Sequence, residues 1–185
     1  MLYDFHTHTF LSDGVLSPIE LIRRCIVNGY SALGISDHVS ASTLERVIRE
    51  VSLDAELAAR YWNFRVLVGV ELTHVPAASI AELAERAKRL GADHVVVHGE
   101  SPVESVEPGT NLAAACCPAV DILAHPGLLT ADEAAKKLRI AKRTLLRWAR
   151  ENRIESVRIS TKKILFTKQA IERFLQAWTH GIESG

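Results

Sequence analysis

Five short apolar runs alternate with helical patterns, and each run closes on residue types that bind metal ions. Leu2 to Phe5 runs into His6-Thr7-His8, and Ala32 to Ile35 runs into Ser36-Asp37-His38. Val66 to Val70 closes on Glu71, Val95 to Val97 on His98, and Asp121 to Ala124 on His125. Short, wholly apolar runs between helices mark a parallel sheet buried on both faces. In such α/β folds the site gathers at the carboxyl ends of the strands.

The segments between the runs read as helices. Ser17-Pro18-Ile19-Glu20 opens one, with Ser17 as N-cap, Pro18 at the first helical position and Glu20 two positions further on. It extends to about Asn28, where Gly29 stops it. Further helical patterns cover Ser42 to about Arg60, Ser79 to Leu90, and a short Ala-rich stretch from Asn111. His74 and His94 fall near run boundaries and are expected to be surface or loop-end residues. Asp37 is expected to hold a loop by hydrogen bonds.

The candidate ligands narrow the metal. His6 and His8 stand at i and i+2, which places two imidazoles on one side of an extended strand. Imidazole and carboxylate without thiolate suit Zn, Mn or Fe rather than Mg or Ca. A carboxylate such as Glu71 can bridge two ions, and a pair of ions clamps the attacking and leaving oxygens of phosphoryl transfer.

Zero net charge over the 185 residues hides a division. Residues 1–128 carry 9 Lys and Arg against 16 Asp and Glu, a net of −7. Residues 129–185 carry 13 against 6, a net of +7. Two modules with different partners are expected, the second one's partner being polyanionic. Cys25, Cys116 and Cys117 form no disulfide framework and have no zinc spacing, which suits a reducing compartment. With no membrane-length apolar run and no leader pattern, a cytoplasmic protein is expected, with no membrane partner.

The second module, residues 129–180, opens on a capping box, Thr130 with Glu133. A helix to Leu138, a tight connector through Arg139-Ile140-Ala141, and a second helix from Lys142 to Arg150 follow. Residues 156–160 and 164–166 alternate as a hairpin, and a last helix runs from Thr167 to Trp178. Helix, three-residue turn, helix and basic hairpin make a winged helix-turn-helix. Lys142, Arg143, Thr144 and Arg147 are the residues expected to meet DNA from the second helix, with Lys162 and Lys163 at the wing tip.

The five strand-end motifs, with Ser12-Asp13-Gly14 and His125-Pro126-Gly127, resemble the PHP (polymerase and histidinol phosphatase) superfamily over residues 1–128. The likeness is nearest to small histidinol-phosphatase-like members. It implies a distorted (β/α)7 barrel that hydrolyses phosphoesters at a di- or trinuclear centre. By that resemblance His6, His8 and Glu71 would hold one ion and Glu71, His98 and His125 a second. His38, with Asp13, would help hold a third. Glu71 and His98 would serve the chemistry, with water rather than a side chain attacking phosphorus.

Family members continue into two more strands and an Asp-x-His motif that this sequence does not contain. The expected fold is therefore a partial (β/α)7-type barrel of five strands, joined to a small winged helix-turn-helix domain. Five strands leave two edges open, so a second copy covering the opening is one expectation. From Leu129 to Phe174 the second module resembles excisionase-type helix-turn-helix domains. It carries Ala134-Ala135-Lys136-Lys137-Leu138, Arg143-Thr144-Leu145, Trp148 and Val157-Arg158-Ile159. It departs from them at Arg139, where that family has Gly, and at Ala141, where it has a capping Ser or Thr. Two functions follow. One is a divalent-metal-dependent phosphoesterase, acting on a phosphorylated small molecule or nucleic acid and tethered to DNA. The other is a DNA-binding regulator whose incomplete PHP domain is catalytically inactive.

Overall fold

The computed structural model describes residues 1–101, 104–158, 160 and 164–182. The chain divides into two compact units, Met1–Glu100 with Ser105–Pro126, and Ser101–Glu104 with Gly127–Gly185.

In the first unit the strands are β1 (Leu2–Thr7), β2 (Tyr30–Ile35), β3 (His38–Val39), β4 (Arg65–Leu72), β5 (His94–His98) and β6 (Ile122–Ala124). All pairings are parallel, in the order β1-β2-β4-β5-β6. The five expected runs thus form one α/β sheet with two open edges. The two-residue strand β3 was not expected from sequence. It continues the line of β2 beyond Ser36-Asp37 and pairs His38 with Glu71. On edge strand β1 the His6 amide donates to the carboxylate of Asp4, two residues earlier, at 3.1 Å.

Helices α1 (Pro18–Val27), α2 (Leu44–Trp62), α3 (Ile80–Arg89) and α4 (Thr110–Ala115) connect the strands. Ser17 caps α1 as expected, its side chain accepting the Glu20 amide. α2 buries Leu44, Val47, Ile48, Val51, Ala55 and Ala58 on one stripe against the sheet. It starts two residues later than its pattern suggested and runs to Trp62, where Asn63 at φ 49° ends it. Burying residues such as Ile22, Leu33, Ile35, Leu44 and Val70 contributes roughly 1.5–3 kcal/mol each. Two carboxylates, one just before β5 and one just before β6, tie each strand to its neighbour. Asp93 accepts the Val68 amide and Asp121 the Val95 amide, each at 2.7 Å.

In the second unit β7 (Leu128–Thr130), β8 (Val157–Arg158) and β9 (Ile164–Thr167) form an antiparallel sheet in the order β7-β9-β8. α5 (Ala131–Leu138), α6 (Lys142–Arg150) and α7 (Lys168–Ile182) complete it. The capping box is present in full: Thr130 accepts the Glu133 amide and Glu133 accepts the Thr130 amide. β7 was not expected; it adds a third strand to the hairpin and buries Leu129 against Phe166 in a core shared with Leu145, Trp148 and Ile171. Arg139 takes the left-handed conformation at φ 54°, and Ala141 gives α6 no side-chain cap. Each departure costs about 1 kcal/mol.

Candidate metal centre and helix-turn-helix face

Glu71 ends β4 with no exposed surface, and four imidazoles converge on it. Its Oε2 lies 3.0 Å from His6 Nε2, 3.4 Å from His8 Nε2 and 3.4 Å from His38 Nδ1. Its Oε1 lies 3.2 Å from His98 Nδ1 yet makes no hydrogen bond. His125 closes the ring, its centroid 5.6 Å from that of His6 and 5.0 Å from that of His98. The strand ends place these groups: His6 on β1, His8 just beyond it, His38 on β3, His98 ending β5 and His125 following β6. His125 holds φ at 45°, a conformation that costs a side-chain-bearing residue about 1 kcal/mol or more and collects at functional sites.

Asp13 approaches from the loop after β1. Its carboxylate lies 3.4 Å from His8 Nδ1 and 3.6 Å from His38 Nε2. Three sets therefore bring ligand atoms within 4.8 Å of one another among the described residues: His6-Glu71-His125, His8-Asp13-His38 and His38-Glu71-His98. The first and third share Glu71 and the second and third share His38. All seven metal-site candidates thus lie together, but the tightest sets divide His6 from His8. The two rings, with centroids 5.0 Å apart and planes tilted 53°, nonetheless both face Glu71 Oε2.

A metal fits this donor set. Bonds of about 2.0–2.2 Å put neighbouring ligand atoms on one ion roughly 3.0–3.5 Å apart. The nitrogen–oxygen separations around Glu71 span that range, and a buried carboxylate oxygen without a hydrogen bond is costly unless something positive meets it. Burial pushes the Glu71 carboxyl up, but the His6 hydrogen bond and the charges of His6, His38 and His8 outweigh it and hold it below the usual range. The Glu71 hydrogen bond raises His6, and burial only partly opposes this. Burial, with the nearby His38 charge, lowers His8. The donors are nitrogen and oxygen only, the set that suits Zn, Mn or Fe.

Several supporting residues escaped sequence reasoning. Thr73 on the β4 exit bonds His38 Nδ1 through its hydroxyl. His94 is buried rather than exposed, and its Nε2 meets the Phe5 carbonyl at 3.0 Å. Its ring occupies the space left by Gly34 and Gly69, where an added Cβ would stand 3.1 and 2.2 Å from it. Glycines in two neighbouring strand runs were the available signal. Asp37 does hold a loop, accepting from Thr9 and Ser12.

On the second unit α6 exposes Arg143 and Arg147, while Thr144 is half-buried. Lys142 is exposed but paired, its Nζ 2.6 Å from Asp132 Oδ2. Arg147 Nε is 3.9 Å from Glu151, and Arg153 lies over the Trp148 ring at 5.3 Å. Lys162 and Lys163 lie outside the described residues. No helix among the described residues is long and apolar enough to cross a membrane.

Comparison with known proteins agrees with both units. An uncharacterized protein of Methanocaldococcus jannaschii is 48% identical over 135 residues, 72% of this chain and 62% of that protein. A 5'-3' exoribonuclease of Haemophilus influenzae is 35% identical over 71 residues, 38% of this chain and 23% of the relative. A DNA polymerase/3'-5' exonuclease of Bacillus subtilis is 34% identical over 83 residues, 42% and 15% of the respective chains. The chain thus spans less than two thirds of the length of each of these relatives. A helix-turn-helix domain model matches residues 128–179. The PHP domain model matches residues 4–141, and with most of its length so covered the chain belongs to the PHP domain family.

Proposed function

We propose that the chain is a divalent-metal-dependent phosphoesterase carried to DNA by its helix-turn-helix unit. The observation that supports this most is Glu71, buried without exposure and faced by imidazole nitrogens at the spacing of ligands on one ion. His6, His8, Asp13, His38, Glu71, His98 and His125 would hold the ions, two of them on the sets containing Glu71. Bound there, such ions supply Lewis acidity toward phosphate oxygens and acidify a water. Glu71 and His98 would hold and orient the ions from buried positions, and Asp13 would do so from an exposed one.

A nucleic-acid phosphodiester is the substrate class we favour. Two relatives are named as nucleases, and the chain joins its acidic unit to a basic one with exposed Arg143 and Arg147. The histidinol-phosphate type of small substrate, raised by sequence resemblance, is the competing choice. A second copy packing on the open edges β1 and β6 is the oligomer this reading allows, and a dimeric mass by light scattering would support it. Hydrolysis of oligonucleotides and of histidinol phosphate should be measured with Mn added, on wild type and Glu71→Gln. Turnover lost in the variant with its fold retained supports the assignment. Equal turnover in the two proteins sinks it. Metal uptake without turnover on any phosphoester favours the regulator with an inactive PHP domain.

A further inference from the structure

We propose that Asp37, which belongs to none of the three ligand sets, is the positioning residue that presents Asp13 to His8 and His38. It thereby governs the one metal position that Asp13 completes, which shares His38 with a neighbouring set on Glu71. This rests on the metal-centre reading above.

Asp13 lies on a loop six residues past the end of β1, and its side chain is 66% exposed. A carboxylate so exposed has no packing of its own to aim it. The loop around it is nonetheless tied down, and the ties meet on Asp37. The Asp37 side chain is fully buried between β2 and β3. Its Oδ1 accepts the Thr9 amide at 2.7 Å and the Ser12 hydroxyl at 2.7 Å. Its Oδ2 accepts the Thr9 hydroxyl at 2.8 Å. Both ends of the turn are therefore held by one carboxylate, and Ser12 is the residue next to Asp13.

The turn is also closed on itself. The Ser12 and Gly14 amides both donate to the Thr9 carbonyl, at 3.1 and 2.9 Å. Gly14 lies so near the His8 carbonyl that a Cβ there would stand 2.4 Å from its oxygen. Asp13 is thus flanked by a residue bonded to Asp37 and a residue packed on the backbone of His8. On its other side Asp37 accepts the Glu71 amide through its own carbonyl, at 2.9 Å. The same residue that sets the loop therefore sits on the strand ladder that sets Glu71.

The chemistry of the acceptor distinguishes substitutions. Three donors converge on Asp37, so Ala leaves all three unmet. Asn keeps one acceptor oxygen for the Thr9 amide and the Ser12 hydroxyl, and the Thr9 hydroxyl can turn to accept from the new amide. Asn should therefore rescue most of what Ala removes. A residue acting only on overall stability would weaken all three ligand sets together.

The test is the number of metal equivalents bound by the full chain. Calorimetric titration with Mn, and the absorption of the Co-substituted protein, would be recorded for wild type, Asp13→Ala, Asp37→Ala, Asp37→Asn and Ser12→Ala. Asp13→Ala and Asp37→Ala are expected to lose the same single equivalent, with the Co bands of the remaining sites unchanged. Asp37→Asn and Ser12→Ala should keep that equivalent with affinity lowered roughly 10–100-fold, the usual effect of removing a group behind a ligand. A full complement in Asp37→Ala beside a loss in Asp13→Ala overturns the positioning role and leaves the metal centre standing. Loss of every equivalent in Asp37→Ala and Asp37→Asn, with an altered circular dichroism spectrum, overturns it in favour of a general folding role. Loss of none in Asp13→Ala overturns it by removing Asp13 from the ligands. A wild-type protein that binds no metal overturns both this inference and the function proposed above.

Discussion

His6 and His125 belong to opposite edges of the sheet, yet their ring centroids are 5.6 Å apart. Four strand spacings separate β1 from β6, about 19 Å in a flat sheet, a gap two imidazoles cannot close. The sheet therefore curls far enough for its edges to face each other across the metal site. No strand spans that gap among the described residues, so an ion held by His6, Glu71 and His125 would link the two edges.

Removing metal should then loosen the fold as well as stop chemistry. A bound ion at a hundredfold excess over its dissociation constant contributes about 2.7 kcal/mol. At about 2–4 °C per kcal/mol, chelation should lower the Tm of the wild type by roughly 5–10 °C. His125→Ala, which cuts the link at one edge, should show a smaller drop. Differential scanning calorimetry with and without chelator checks this, and identical drops would show that His125 carries no share of the link.

Metal uptake should depend on pH in two steps. Protonated His6 pairs with Glu71, which holds its pKa above 6.5. In the metal-free protein that pairing stabilises fully below 6.5 and is lost as pH rises through the raised value. Metal requires the neutral ring, so the affinity of the His6-Glu71-His125 set should begin to fall once pH drops below that raised value. His8 is shifted the other way and stays neutral to lower pH. Protonation of His8 should therefore weaken its set only at a lower pH than protonation of His6 weakens the set on Glu71. Mn titrations between about pH 5 and 8 would separate the two steps. A single step would mean the sets do not act separately.

Gly69 and His94 should be coupled. A Cβ on Gly69 would stand 2.2 Å from the His94 ring, which is packed on all sides. Gly69→Ala should therefore cost about 1–3 kcal/mol, as overpacking does. With His94→Ala already in place the same change should cost far less. Urea unfolding of both single variants and the double variant measures the coupling. Additive effects would place the ring elsewhere.

DNA binding should rest on unequal contributions along α6. Lys142 is held by Asp132, whereas Arg143 is exposed and Arg147 has only a 3.9 Å approach to Glu151. Arg147→Ala should weaken binding and reduce the salt slope by about one unit. Lys142→Ala should do less, because the native ion pair must first be broken. Fluorescence anisotropy across a salt series decides it, and equal slopes for wild type and Arg147→Ala would remove that residue from the interface.

The strand ends were legible because a buried parallel strand has a wholly apolar run and nowhere to put a polar residue except its exit. That is why Glu71, His98 and His125 could be placed from sequence. The capping box of Thr130 and Glu133 was legible for the same reason, being a local bond with a fixed spacing. Strand β3 was not, since two residues carry no period. β7 was not, because its pairing with β9 spans more than thirty residues of chain. His94 looked like a loop end because its partners, Phe5, Gly34 and Gly69, are distant in sequence and two of them signal only by lacking a side chain.

His94 gives the curled sheet a floor. It shares its strand face with Val96 and His98, four residues below the latter, or about 13 Å. Its ring fills the axis between β2 and β4 and reaches the backbone of β1. That ring closes the axis toward the amino ends of the strands, so a ligand of Glu71 would come from the carboxyl ends or through the gap between β1 and β6.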